Sequence, residues 1–401
     1  MERIVVVGAG QAGASLVARL RRKGFEGRIT LVGEEPVPPY QRPPLSKAYL
    51  LGEMALERLY LRPESFYAEQ DIDLVLSGEA TAIDREAKTV TVNGAPLPYD
   101  ALALTTGSRP RHLPAAIGGD LGGVVTVRTL GDVDAMAQRF GAGAKVLIVG
   151  GGYIGLEAAA VAAKLGLDVT VVEQAERILS RVAAPETSAY FRDLHRSHGV
   201  TLLEGTGLTR LTGDKEVEGA ILADGTELDV DFVIVGVGIA PDTRLAEAAG
   251  LEIDNGIATD AYGRSSDASI WAAGDCASFP HEGARARLES VGNAIDQAEA
   301  VADNMLGAET PYRPKPWFWS DQYDVKLQIA GLNTGYDRVV TRAGDGDAMS
   351  YWYFRGNDLL AVDAMNDSRA YMVGKRLIEA GRSPSPAAVA DSHTDLKSLL
   401  A

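Results

Sequence analysis

Residues 4–13 read IVVVGAGQAG and residues 146–155 read VLIVGGGYIG, each a run of four apolar residues followed by G-x-G-x-x-G. A short unbroken apolar run bounded by glycine fits a strand buried on both faces of a parallel sheet. The small-residue stretches that follow, 14–23 and 156–165, predict helices. A second apolar strand comes next in each copy, 29–32 and 169–172, and leads to acid: Glu34 and Glu35 in the first, Glu173 in the second. In this arrangement Gly8 and Gly150 make the tight turn. Gly10 and Gly152 let the backbone approach a pyrophosphate, and Gly13 and Gly155 let the helix pack on the strand. The helix N-terminus then offers free N–H groups and a partial positive charge to the phosphates. A lone G-x-G-x-x-G is weak evidence. Here each copy follows a strand, opens a helix and meets a carboxylate roughly twenty residues on. Two copies do not make a solenoid; they predict two dinucleotide-binding lobes in one chain.

Glu173 ends its strand where a carboxylate accepts hydrogen bonds from ribose hydroxyls and repels a 2′-phosphate. Gln174 and Ala175 follow, with no adjacent arginine. The second lobe is therefore expected to take NADH rather than NADPH. Further along, 99–107 (YDALALTTG) and 231–238 (DFVIVGVG) are apolar strands ending in glycine turns. The alternation of strands and helices predicts parallel sheets with helices on their faces. Three prolines in 309–316 read as a linker, and 317–365 holds three of the four tryptophans with strand-like segments at 325–330 and 350–354. A further α+β domain is expected there, closing with a helix near 370–380 and a loose tail.

With 401 residues, two to three domains are expected. A hydrophobic fraction of 46% and a charged fraction of 23% describe an ordinary globular protein. The net charge of −16 argues against nucleic-acid binding, which depends on neutralising phosphates. No apolar run approaches the roughly 18 residues of a membrane span. The run at 4–10 is preceded by Glu2 and broken by glycines, so it reads as a strand rather than a signal-peptide core, and a cytoplasmic protein is expected. Cys276 is the only cysteine. It can form no internal disulfide, Cys-X-X-Cys or cysteine-built metal site, and is expected to be a small buried residue. His195 and His198 stand three apart on a predicted helix; without a third ligand they read as a solvated face, and no metal is expected.

Two other segments bear on chemistry. Residues 40–47 (YQRPPLSK) place Arg42 and Lys47 on a proline-stiffened loop, and 270–275 (IWAAGD) is a strand running into Gly-Asp. Asp275 could hydrogen-bond a ribityl hydroxyl, with the next helix aimed at phosphate. The stretches PPLSKAYL (43–50), TTGSRPR (105–111), VRTL (127–130), GGGYIGLE (150–157), VGVGIAPDT (235–243), IWAAGDCA (270–277), ESVGNAIDQA (289–298) and PWFWSDQY (316–323) cover nearly the whole chain. Together they resemble the two-dinucleotide flavoprotein reductases related to glutathione reductase. The closer similarity is to the putidaredoxin reductase and rhodocoxin reductase group, which includes the ferredoxin reductases of ring dioxygenases. Thr105 is a small departure, where that group usually has alanine.

The resemblance implies an α/β fold of two Rossmann-like, glutathione-reductase-like domains and a C-terminal α+β domain. An FAD domain would comprise 1–110 and 240–312, an NAD domain 111–239, and the C-terminal domain 313–401. Carried over by motif, the FAD contacts are Gly8, Gly10, Ala12, Gly13, Glu34, Arg42, Lys47, Ala80, Thr106, Gly107, Arg128, Asp275 and Val291. The choice of Glu34 over Glu35 rests on the resemblance alone. The NAD contacts are Gly150, Gly152, Tyr153, Ile154, Gly155, Glu173 and Gly238. Lys47 and Glu157 are the implied catalytic pair, Lys47 as counter-charge to the reduced flavin; the plainer readings are a loop-capping lysine and a helix-N-terminal acid. The implied function is an NADH-dependent ferredoxin reductase, passing hydride to FAD and single electrons to a 2Fe-2S ferredoxin that feeds a cytochrome P-450 or a dioxygenase. A reductase of a small quinone or radical would use the same parts, and a non-catalytic FAD-binding signalling protein fits the acidic charge poorly. No cysteine precedes Cys276, so the thiol routes of the wider superfamily are closed. A monomer or homodimer is expected. Arg285, Arg287, Lys315, Trp319 and Lys326 are the expected ferredoxin-docking residues.

Overall fold

Ile4, Val5, Val6 and Val7 are all buried, as a strand covered on both faces requires. In the computed structural model, which describes residues 1–400, the strand Arg3–Val7 is the centre of a five-stranded sheet. The strand order is Ile270–Ala272, Ala101–Leu104, Arg3–Val7, Arg28–Val32, Ile72–Val75, and every pairing is parallel. Strand alternation divides the sheet's side chains between two cores. Ile4, Val6, Ile29 and Leu31 pack with Leu16, Val17 and Leu20 of the helix Gln11–Arg22 and with Ala298, Val301 and Met305 of the helix Val291–Met305. Val5, Val7, Leu102 and Leu104 pack on the opposite face with Val90, Val92 and Leu251. Arg19 ties the two helices together through Asp303, at 2.5 Å, and Glu299, at 3.2 Å.

These elements lie in the first of two compact units, formed by residues 1–41, 55–109 and 239–316. The second unit holds residues 42–54, 110–238 and the chain from 317 onward. It repeats the design around Lys145–Val149. The order is Thr201–Glu204, Asp168–Glu173, Lys145–Val149, Phe232–Val235, Val124–Thr126, again all parallel. One face of this sheet packs on a small antiparallel sheet through Leu211, Ala220 and Leu222.

Both nucleotide-lobe helices begin earlier than the sequence predicts, at Gln11 and Tyr153 rather than after the third glycine. The reason is local. Gly10 and Gly152 are themselves the N-cap residues, so the third glycine already lies inside the first turn.

The rest of the second unit is a five-stranded antiparallel sheet in the order Trp317–Gln322, Val325–Gly331, Asp358–Met365, Met349–Arg355, Arg338–Ala343. The helix Ser368–Glu379 closes its core, packing Tyr371 and Leu377 with Trp352 and Val362. The tail expected to be loose is pinned instead. Arg342, almost fully buried, donates to the carbonyls of Val389, Asp391, Ser392 and Thr394. Leu396 is buried in the same core. Residues 308–316 form no helix or strand, in keeping with the predicted linker. Among the described residues, no helix is long and apolar enough to cross a membrane.

Candidate active site

The three glycines of each turn have distinct steric duties. Gly8 has φ +112°, and a Cβ there would lie 2.1 Å from the Thr105 carbonyl oxygen; a Cβ on Gly13 would lie 2.1 Å from the Gly8 carbonyl oxygen. A Cβ on Gly10 would meet nothing within 4 Å. The second turn has the same pattern. Gly150 has φ +109°, and a Cβ there would lie 2.4 Å from the Gly236 carbonyl oxygen; a Cβ on Gly155 would lie 2.2 Å from the Gly150 carbonyl oxygen, and one on Gly152 would meet nothing within 4 Å. The first and third glycines are thus required by the protein's own packing. The second leaves a bare backbone at the open end of an uncapped helix. That is the shape and polarity an anionic pyrophosphate fits.

Around the first turn, Thr105 donates to the Gly8 carbonyl at 2.8 Å, so the hydroxyl that departs from the resembled pattern braces the turn itself. Ala12 lies against the Gly274 turn, where a Cβ would come within 3.0 Å of the Ala12 Cβ. Asp275 follows, accepting from the Ser108 hydroxyl at 2.8 Å. Val291 opens the helix capped by Ser290. Thr106 donates to the Asp242 carbonyl, and the Gly107 carbonyl accepts from the Asp242 N–H. Glu34 is exposed, at 68%, and pairs with Arg109 at 3.1 Å; Glu35 accepts from the Tyr40 hydroxyl. Ala80, itself partly buried, begins the largely exposed strand Ala80–Asp84. The first unit therefore holds Gly8, Gly10, Ala12, Gly13, Glu34, Ala80, Thr106, Gly107, Asp275 and Val291.

Arg42, Lys47 and Arg128 belong to the second unit with the NAD-lobe residues. Lys47 Nζ lies 2.6 Å from Glu157 Oε2, with the lysine side chain 15% exposed and the glutamate 4%. Lys47 Nζ also donates to the Pro43 carbonyl of its own loop, at 3.2 Å. Glu157 also accepts from the Ser46 hydroxyl on Oε2, at 2.8 Å, and from the Ser320 hydroxyl on Oε1, at 2.7 Å. Burial pushes the Glu157 carboxyl up from its ordinary value, and Lys47 opposes that most strongly, followed by Ser320 and Ser46. Arg42 donates to the Arg128 carbonyl at 2.7 Å.

Glu173 closes the second turn from below, Oε2 accepting from the Gly151 N–H at 2.7 Å and Oε1 from the Ala175 N–H at 2.8 Å. The nearby Arg177 is engaged with Ser188 and the Ala183 carbonyl. Gly238, at φ +101°, has Arg181 and Arg111 nearby, 3.6 and 4.0 Å from where its Cβ would be. The Tyr153 phenol is buried without a hydrogen-bond partner among the described residues, and its ring packs on Phe318 at 4.9 Å. Ile154 is exposed.

Three expectations need correction. His195 is fully buried rather than solvated: Gln322 and Tyr323 hydrogen-bond both ring nitrogens, and burial lowers its pKa to about 4. Only His198 is exposed, stacked on Tyr323 at 3.7 Å. Arg287 is not a free docking cation, and Arg285, though exposed, is tied by hydrogen bonds of its own. Arg285 donates to Ser278 and to the Thr259 carbonyl, and Arg287, 12% exposed, pairs with Glu289 and donates to the Asp275 carbonyl. The tail, as described, is held. Cys276 is buried as expected, with its thiol pKa pushed up by burial, which leaves it unreactive. No group of metal-ligating side chains occurs among the described residues.

Sequence reasoning missed Ser46, Ser320, Gln322 and His195. Ser320 and Gln322 stand two apart in a strand and so share its inner face. His195 follows Thr187, Ser188 and Phe191 on the buried stripe of its helix, a spacing visible in the sequence.

Residues 2–298 match the family described as pyridine nucleotide-disulphide oxidoreductase, and residues 317–400 match the family described as reductase C-terminal. The chain is 41% identical over 403 residues to rhodocoxin reductase of Rhodococcus erythropolis, covering 99% of this chain and 94% of that protein. Among solved structures it is similar to the covalent putidaredoxin reductase–putidaredoxin complex, with a TM-score of 0.95 at 40% identity, covering 100% of this chain and 98% of that one. It is also similar to the ferredoxin reductase for the CYP199A2 system from Rhodopseudomonas palustris, with a TM-score of 0.96 at 39% identity and full coverage of both chains.

Proposed function

The chain belongs to the pyridine nucleotide-disulphide oxidoreductase family, and from that premise we propose that it is an NADH-dependent ferredoxin reductase. It is a flavoprotein oxidoreductase using FAD and NAD(H), and it delivers electrons singly to a 2Fe-2S ferredoxin serving a cytochrome P-450 or a ring dioxygenase. The observation that carries the reading is the duplicated turn. Two uncapped helix N-termini each stand over a glycine with open space above it. FAD, when bound, supplies acceptance of an electron pair and release of single electrons.

The chain's own residues bind, orient and balance charge. Gly8, Gly10, Ala12 and Gly13 would hold the FAD pyrophosphate, Glu34 its ribose, and Ala80 the adenine side. Thr106, Gly107, Asp275, Val291, Arg42, Arg128 and Lys47 are the remaining proposed partners. Gly150, Gly152, Tyr153, Ile154, Gly155 and Gly238 would line the NAD site. There Glu173 would select against a 2′-phosphate, and the nearby Arg177 is engaged with Ser188 and the Ala183 carbonyl. Lys47 brings a cation whose buried partner, Glu157, keeps it from being an isolated buried charge. The buried Cys276 offers no thiol route. We further propose an FAD domain over 1–110 and 240–312, an NAD domain over 111–239 and a C-terminal domain over 313–401, in a cytoplasmic protein.

Anaerobic mixing of the FAD-loaded protein with NADH, NADPH, a 2Fe-2S ferredoxin and a small quinone tests the reading. Bleaching of the flavin by NADH and rapid ferredoxin reduction support it. Preference for the quinone, with ferredoxin left oxidised, would overturn it.

A further inference from the structure

Ser320, Gln322 and Tyr323 lie in the PWFWSDQY stretch, and the proposed reaction leaves them unused. They join the Lys47–Glu157 pair to a histidine. Tyr323 Oη lies 3.1 Å from His195 Nδ1, and His195 Nε2 lies 2.8 Å from Gln322 Oε1. Gln322 Nε2 donates to Ser320 Oγ at 3.1 Å, and Ser320 Oγ donates to Glu157 Oε1 at 2.7 Å. His195, Gln322, Ser320 and Glu157 are all buried.

The protons in this chain follow from its acceptors. Gln322 Oε1 can only accept, so His195 Nε2 carries the proton and Nδ1 accepts from the Tyr323 hydroxyl. Every link then donates in one direction, and the last donor falls on the carboxylate. Such a chain polarises its members cooperatively. With the proton on Nδ1 instead, Nε2 would need a donor and the Gln322 amide would have to turn over. Its oxygen would then face Ser320, whose single O–H would be drawn from Glu157 to glutamine. The histidine tautomer thus decides whether Glu157 Oε1 receives a hydrogen bond.

We propose that His195 is a positioning residue for the Lys47–Glu157 pair, its Nε2–H tautomer being set by Tyr323 and transmitted through Gln322 and Ser320. The inference deepens the reductase reading and rests on it for the role of the pair. The groups facing Glu157 are Lys47, Ser46, Ser320 and, on its own helix, Tyr153, whose phenol also senses Asp363 and Tyr353. Those facing His195 are Gln322, Tyr323 and His198.

The test compares FAD-loaded wild type with Tyr323→Phe and Gln322→Leu. Nitrogen NMR of the five histidines reads the tautomer. The infrared carboxyl stretch lost in Glu157→Gln reads Glu157 protonation, and the pH profile of flavin reduction by NADH reads the pair. Wild-type His195 should stay in the Nε2–H form from neutral pH to about pH 5, above its lowered value of about 4. Tyr323→Phe, which keeps the ring on His198, should populate the Nδ1–H form. Tyr323→Phe should raise the pH at which Glu157 protonates by about one unit, the effect of one hydrogen bond to a charged group, whereas Gln322→Leu, which leaves the Ser320 hydroxyl no competing acceptor, should keep that bond and move it little. In Tyr323→Phe the acid limb of the reduction profile should rise as well. If Gln322→Leu does not fold, Tyr323→Phe carries the test alone. An unchanged Glu157 titration in folded Tyr323→Phe, or a full-unit rise in Gln322→Leu, overturns the inference even where NADH reduces the flavin normally. Failure of NADH to reduce wild type overturns the reductase reading instead, and the infrared shift by itself then decides the inference.

Discussion

Glu173 has one carboxylate oxygen on the Gly151 N–H of the turn it is expected to serve and the other on the Ala175 N–H two residues on, so it shapes the NAD lobe in addition to its expected role at the ribose. Glu173→Ser with Gln174→Arg removes the repulsion and adds a cation. The ratio of kcat/KM for NADPH over NADH should rise by about tenfold or more, equivalent to about 1.4 kcal/mol. An unchanged ratio in a folded variant would contradict the role. The first lobe has Gly33 at the position equivalent to Glu173, directly after the strand, with its acids one and two residues later. A Cβ on Gly33 would lie 2.7 Å from Ala9 Cβ, and this crowding explains the offset. Spacing alone could not separate Glu34 from Glu35, because both follow the same strand end. Lys47→Ala should leave FAD bound while slowing reduction by NADH and lowering the flavin midpoint potential, since a cation is lost. Stopped-flow kinetics and a potentiometric titration check this, and unchanged values in both would remove Lys47 from the reacting centre.

At the scale of elements, the helix Pro185–Ser197 and the chain's last segment each hide a polar anchor. The pKa of His195 falls from 6.5 to about 4 on folding. The unfolded chain therefore binds more protons in that window, and stability is lost as pH falls from about 6.5 towards 4, by on the order of 3 kcal/mol. Asp363, raised to about 6 by burial, acts with the opposite sign: its share of stability falls as pH rises from about 4 to 6. Asp363→Asn should accordingly steepen the acid-side loss of melting temperature, and His195→Phe should flatten it. A wild-type pH profile unaffected by either would contradict both assignments. Arg342→Met strips four carbonyls of their donor, so residues 386–400 should lose hydrogen-exchange protection, at a cost of about 2 kcal/mol or more. Protection equal to wild type would show that apolar packing alone holds the tail. Helices and strands of the nucleotide lobes were legible because their apolar runs and glycines are local signals. The helix stripe marked His195 as buried, but its role was not legible, since a histidine on a helix face declares its partner only when the strand Trp317–Gln322 packs against it. The tail was misread for the same reason: its anchor, Arg342, lies far back in the chain.

For the whole molecule, an acidic chain must meet a ferredoxin that is itself usually acidic, and net charge of −16 makes long-range attraction a poor basis for docking. The basic pair that the sequence offered is engaged within the chain: Arg287 is largely buried against Glu289, and the exposed Arg285 is tied to Ser278 and the Thr259 carbonyl. Trp319, stacked with Trp317 at 5.5 Å and only partly buried, remains the proposed anchor, with Lys326 exposed on the neighbouring strand. Trp319→Ala should raise KM for ferredoxin by an anchor's share of about 2 kcal/mol, with ferricyanide reduction unaltered. Equal loss with both acceptors would assign the ring to the flavin site instead. The central claim is that this chain carries a hydride's two electrons from NADH to a one-electron protein acceptor without a thiol relay. The most direct measurement is anaerobic: a limiting amount of NADH, the FAD-loaded protein or its Cys276→Ala variant in catalytic amount, and excess 2Fe-2S ferredoxin followed by its visible bleaching. About two ferredoxins reduced per NADH, at the wild-type rate, is the predicted result. No ferredoxin reduced by the wild-type protein, or reduction lost with the cysteine in a variant that still binds FAD, would contradict it.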